Sequence, residues 1–132
     1  MQPTISVEIT YIATRDRKNK GRVVPDSAGP SPTSSNGGVL DADTLYTSGK
    51  SGSGATVAEQ MRDGLEGIRN ILRLAGMEMR HVVDAHVYLR DIAQMDAMNS
   101  VFQEYFPQNP PARTTVQVTQ QQLIQVQVVA VR

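Results

Sequence analysis

The segment from Pro110 to Arg132 constrains this chain more than any other. It carries Arg113-Thr114-Thr115-Val116-Gln117-Val118, then the polar run Thr119-Gln120-Gln121-Gln122, then Leu123-Ile124-Gln125-Val126-Gln127-Val128-Val129-Ala130-Val131. Val, Thr and Ile dominate, and polar and apolar residues alternate, as in half-buried strands; the short polar run between the halves predicts an antiparallel pair. Period two then sorts the side chains. Thr114, Val116 and Val118 fall on one face of the first strand, with Arg113, Thr115 and Gln117 on the other. On the second strand Ile124, Val126, Val128 and Ala130 share an apolar face, opposite Gln125, Gln127, Val129 and Val131. The pair is expected to have one core face and one half-polar face carrying Arg113 with the two amides. That second face needs a cover.

Upstream, Ile5 to Tyr11 alternates and predicts a strand. Residues 15–38 are basic and then rich in Pro, Ser and Gly, which excludes long regular structure. Val39 to Ser48 predicts a second strand, interrupted by a turn at Asp41-Ala42-Asp43. Thr56-Val57-Ala58-Glu59 is a capping box opening a helix that should run to Ala75 and stop at Gly76. Val57, Met61, Leu65, Ile68, Ile71, Leu72 and Ala75 make its apolar stripe. Gly64 and Gly67 in its interior are expected where the helix comes close to a sheet.

His81 to Arg90 predicts a third strand, with Val83, Ala85, Val87 and Leu89 toward the helices and Asp84, His86 and Tyr88 away. Asp91 or a neighbour starts a second helix that turns Met95, Met98, Val101, Phe102, Tyr105 and Phe106 inward and ends at Pro107. The methionine stripe reads as core. The resulting order is that of an α+β sheet with both helices on one face.

The chain has 132 residues, enough for one domain burying about two thirds of its unfolded surface. Thirteen basic residues balance thirteen acidic ones, so no nucleic-acid or anionic-membrane footprint shows in the net charge. The local cluster Arg15, Arg17, Lys18, Lys20 and Arg22 has no interleaved aromatic, contains Asp16, and reads as a solvated loop. No cysteine is present, which excludes disulfides, thiolate catalysis and zinc–thiolate sites and suits a reducing cytoplasm. No signal peptide or membrane-length apolar run is visible. His81 and His86, five residues apart, would stand on opposite faces of one strand, so no metal is expected. Ser48-Gly49-Lys50-Ser51 resembles the end of a phosphate loop, but the position that needs the leading glycine is Thr44.

Pro111-Ala112-Arg113-Thr114-Thr115-Val116, with a closing strand ending Val129-Ala130-Val131-Arg132, resembles the C-terminal signature of the reactive intermediate deaminase (Rid, or YjgF) family. The resemblance extends back to about Gly29. It includes Leu45-Tyr46-Thr47-Ser48-Gly49-Lys50, the helix with Ile68-Arg69-Asn70-Ile71-Leu72, the strand Val82 to Asp91, and Met98-Asn99 through Tyr105-Phe106. Residues 1–132 are then one Rid-like domain, with residues 1–28 an N-terminal extension outside the strongest resemblance. The resemblance implies a chorismate-mutase-like fold whose mixed sheets pack into a trimeric barrel, with a ligand cleft at each subunit interface. It implies a homotrimer whose partner is a small carboxylate substrate; with the composition above, the expected compartment is the cytoplasm, with no cofactor, nucleic-acid or membrane partner.

The family's chemistry, as the resemblance implies it, is hydrolysis of a small carboxylated enamine or imine to a keto acid and ammonia. Arg113 matches the arginine that holds the substrate carboxylate by a two-pronged contact, with the Thr115 amide beside it. Asn99 and Gly49 match positions near the cleft, and Thr33 replaces a tyrosine that packs against the ligand. The family's glutamate falls on Gln125, which can orient water but cannot take its proton. Arg113 and Gln125 are thus the candidate catalytic residues. Altered chemistry on the same scaffold, such as tautomerisation or another hydrolysis, and carboxylate binding without catalysis are the alternatives.

Overall fold

A computed structural model of the chain describes residues 12–13, 20–23 and 37–132. The expected strand at Ile5 to Tyr11 and Arg15, Arg17 and Lys18 of the basic cluster lie outside them. The sequence signals around the first helix become α1, Val57–Leu74. Thr56 Oγ1 accepts from the Glu59 amide at 3.2 Å, and Glu59 Oε2 accepts from the amides of Thr56 at 3.2 Å and Ala55 at 2.7 Å. Ala75 caps the other end and Gly76 turns the chain at φ 72°, a left-handed conformation that side chains resist. Thr56→Ala should lower unfolding stability by about 1 kcal/mol. An unchanged denaturation midpoint would show that the hydroxyl contributes nothing.

Among the described residues six strands form one sheet in the order β1-β2-β3-β6-β4-β5. They are β1 (Lys20–Val23), β2 (Gly38–Asp41), β3 (Thr44–Thr47), β4 (Val82–Leu89), β5 (Ala112–Gln117) and β6 (Ile124–Val131). Lys20 and Arg22 therefore stand on a short strand, β1 antiparallel to β2, and not in the solvated loop expected of them. The single interrupted strand expected over Val39 to Ser48 is a hairpin of β2 and β3, folded at Ala42 with φ 52°.

The larger correction concerns the two C-terminal strands. β5 and β6 do not pair; β4 lies between them, parallel to β5 and antiparallel to β6. The reason lies in the preceding helix. β4, helix α2 (Met95–Tyr105) and β5 form a β-α-β crossover, which returns the chain parallel to β4, while β6 enters on β4's other side. The polar run 119–122 is thus a connection across the end of β4, where Gln120 Nε2 donates to the Tyr88 carbonyl at 2.9 Å.

Both helices cover one face of this sheet. Met61, Leu65, Ile68, Ile71 and Leu72 of α1 and Met98 of α2 are fully buried, together with Ala85, Val87 and Leu89 of β4. Val83 was expected among them but is 49% exposed. A register shift between Val82 and Asp84 puts one extra residue into β4, so Val82 takes the inward place and Val83 turns out. The 3₁₀ turn Met79–His81 precedes β4, so His81 stands outside the strand, its Nδ1 accepting from the Glu78 amide at 2.8 Å. Gly64 meets the Lys50 carbonyl and Val126 of β6, the close approach expected of it, whereas Gly67 faces only the Lys50 stem.

Candidate functional site

The register fixes which candidate residues share a face. Ala85, Val87 and Leu89 lie opposite Arg113, Thr115 and Gln117 on one side, and opposite Val128, Val126 and Ile124 on the other. Arg113 and Thr115 therefore point to the helix side of the sheet. Gln125 and Gln127, paired with Tyr88 and His86, point to the open side. This corrects the expectation that Arg113 shares a face with the two amides, which assumed that β5 and β6 were neighbours.

On the helix side Arg113 stands at the sheet edge beside α2. Its guanidinium carbon lies 4.8 Å from the centroid of the Phe102 ring, and its Nη1 donates to Met98 Sδ at 3.5 Å. Among the described residues no carboxylate lies within ion-pair distance of it. Desolvation lowers its pKa from the ordinary guanidinium value. A cleft of about 460 Å³ opens here, lined among others by Asn99, Phe102, Phe106, Pro110, Pro111 and Arg113. Asn99 Oδ1 and Thr115 Oγ1 are buried without a hydrogen-bond partner, so two acceptors stay unsatisfied on the same side of the sheet. A cation with no carboxylate partner among the described residues, set against an apolar wall, is chemically suited to a small carboxylate.

On the open side the chain builds a second cluster. β3 pairs with β6 as far as Tyr46 and Val129; the Thr47 hydroxyl then takes the place of a ladder group, accepting from the Val128 amide at 2.9 Å. The chain rejoins β6 at Lys50, whose amide donates to the Val126 carbonyl at 2.7 Å. The extra residue arches Ser48 and Gly49 over β6. Gly49 then lies against the Gln125 carboxamide, and a Cβ at Gly49 would run into that amide group. His86 Nε2 and Asp84 Oδ2 lie 2.9 Å apart on the same face. Val116 and Val131 are each 41% exposed.

Of the candidate residues, Arg113, Asn99 and Thr115 thus gather on one side of the sheet, and Gly49 and Gln125 on the other. Thr33 lies outside the described residues. Sequence reasoning took Met98 and Phe102 only as core; their contact with Arg113 had no signal beyond a spacing of four on one helix face. Pro110 and Pro111 also line the cleft; the sequence marks Pro111 only through the family signature and Pro110 not at all.

Comparison with known proteins adds the class to this geometry. The Endoribonuclease L-PSP family profile matches residues 30–131, and the chain belongs to this family, the Rid or YjgF family. It is 48% identical over 61 residues to the 3-aminoacrylate deaminase RutC of Acinetobacter baylyi, a match covering 46% of this chain and 48% of that protein. The chain thus spans about half the length of that curated relative. It is 34% identical over 88 residues to the human 2-iminobutanoate/2-iminopropanoate deaminase, 61% of this chain and 64% of that one. Among solved structures, a YjgF-family protein of Neisseria meningitidis superimposes with a TM-score of 0.74 at 30% identity, over 79% of this chain and 91% of that one. Rv2704 of Mycobacterium tuberculosis gives 0.79 at 26% identity, over 86% and 99%. The fold is that of the YjgF family, and relatives named as deaminases belong to it. No described helix is long and apolar enough to cross a membrane.

Proposed function

We propose that the chain hydrolyses a small carboxylated enamine or imine to a 2-oxo acid and ammonia, at sites shared between the subunits of a homotrimer. The observation that carries this reading is Arg113, a partly desolvated guanidinium without a carboxylate partner among the described residues, lining a cleft with Asn99. The deaminase-named relatives support the same chemistry.

Arg113 binds the substrate carboxylate through two parallel N–H donors, and the Thr115 amide and Asn99 orient it. Water adds to the carbon of the protonated C=N group. The resulting carbinolamine moves a proton to nitrogen and expels ammonia, leaving the C=O of the oxo acid. Gln125 holds the water through its carboxamide, and the water's proton leaves to solvent because an amide is too weak a base to accept it. Since Arg113 and Gln125 stand on opposite sides of one sheet, the reading requires that a second copy bring its Gln125 and Gly49 to this copy's Arg113. The open face, with Tyr88, Val116, Val129 and Val131, is the apolar surface such packing would cover. The compartment proposed is the cytoplasm, on the cysteine-free composition.

The lone amide at position 125 favours a second reading, altered chemistry or carboxylate binding alone on the same scaffold. The two are separated by release of 2-oxobutanoate and ammonia from 2-iminobutanoate generated in situ. Release faster with the protein than without it is the expected result. An uncatalysed rate from protein that still binds 2-oxobutanoate would move the assignment to the second reading.

A further inference from the structure

Arg113 is held by groups that carry no charge. Met98 and Phe102 lie four residues apart on the inward face of α2, and both contact its guanidinium, one through sulfur and one through the ring face. Phe106 backs Phe102, with the ring centroids 4.7 Å apart. The residue opposite Arg113 on β4 is Ala85, which is fully buried and leaves the space above it to α2. A partly desolvated arginine can be oriented by a carboxylate, but such a partner would occupy the donors that a ligand needs. A thioether and a π face attract a guanidinium without neutralising it.

We propose that Phe102 and Met98 are positioning residues for the anion site: they fix the direction of the Arg113 guanidinium while leaving its charge and its outward N–H donors for the ligand's carboxylate. This rests on the reading of Arg113 as the carboxylate anchor. It goes further by assigning a binding role to two side chains that otherwise belong to the core. Phe102 supplies the ring face over which the guanidinium carbon sits, and Met98 restrains one of its nitrogens.

The test is calorimetric titration of the intact protein with 2-oxobutanoate, on Phe102→Leu, Phe102→Tyr, Met98→Leu and Arg113→Ala variants and on the Phe102→Leu/Arg113→Ala pair. Phe102→Leu should weaken binding about three- to tenfold, the range of a partly desolvated cation–π contact, while Phe102→Tyr keeps the ring and binds as the wild type does. In the Arg113→Ala background Phe102→Leu should cost nothing further, because its role acts through the guanidinium. If Phe102→Leu does not fold, Met98→Leu carries the test, with a smaller loss that likewise vanishes without Arg113. Unchanged affinity in folded Phe102→Leu, or the same loss with and without Arg113, overturns the proposal and leaves the anchor intact. An Arg113→Ala protein that binds as tightly as the wild type overturns both.

Discussion

Gln125→Glu is expected to raise the rate of 2-iminobutanoate hydrolysis by about 10²–10⁴-fold, the usual contribution of a general base. On the proposed mechanism the wild-type amide orients the attacking water but leaves its proton to solvent, whereas a carboxylate in the same place would accept it. The substitution is nearly isosteric. The carboxamide lies against Gly49, whose missing Cβ is what gives it room, so a carboxylate of the same shape fits without moving the arch of Ser48 and Gly49. In the shared site Arg113 of a neighbouring copy would keep the new carboxylate ionised. A folded variant that binds 2-oxobutanoate normally and gains nothing would place the chemistry elsewhere.

Arg113→Lys is expected to weaken 2-oxobutanoate binding by roughly 1.5–3 kcal/mol, about ten- to a hundredfold, as read by calorimetry. An ammonium offers a point charge where the carboxylate meets a planar fork, and it lacks the delocalised plane of the guanidinium that sits over the Phe102 ring. Charge is conserved in this change, so the loss reports geometry. Equal affinities would make Arg113 a structural residue.

What the sequence reveals and what it hides follows from the range of each interaction. The capping box at Thr56 and Glu59, the stop at Gly76 and the buried stripe from Val57 to Ala75 are legible because they depend on residues within one or two helical turns. The alternation in β5 and β6 shows which residues within a strand share a face. It cannot show which strand lies alongside, and the proximity of the two strands in sequence suggested a pairing that the α2 crossover prevents. That pairing decides which side Arg113 is on, so the sequence could list candidate residues but not which of them share a face. Val83 illustrates the same limit: one extra residue in β4 reverses a face assignment that period two alone would fix. Asn99 is a candidate only through the family resemblance, which puts it near the cleft; it and Arg113 line one pocket between α2 and the sheet edge, a proximity that no local pattern in the sequence signals.

The shared site is tested most directly by mixing two chains, each lacking one half of the fast enzyme. One chain carries Arg113→Ala together with Gln125→Glu, and so has the base without the anchor; the other is wild type, with the anchor and the slow amide. If anchor and base act across an interface, subunit exchange creates sites with Arg113 from one chain and the carboxylate from the other. Hydrolysis of 2-iminobutanoate should then rise far above the sum of the two parents and follow the time course of exchange. A mixture that demonstrably exchanges subunits yet never exceeds that sum, while the Gln125→Glu single variant is fast, would contradict a site built from two copies.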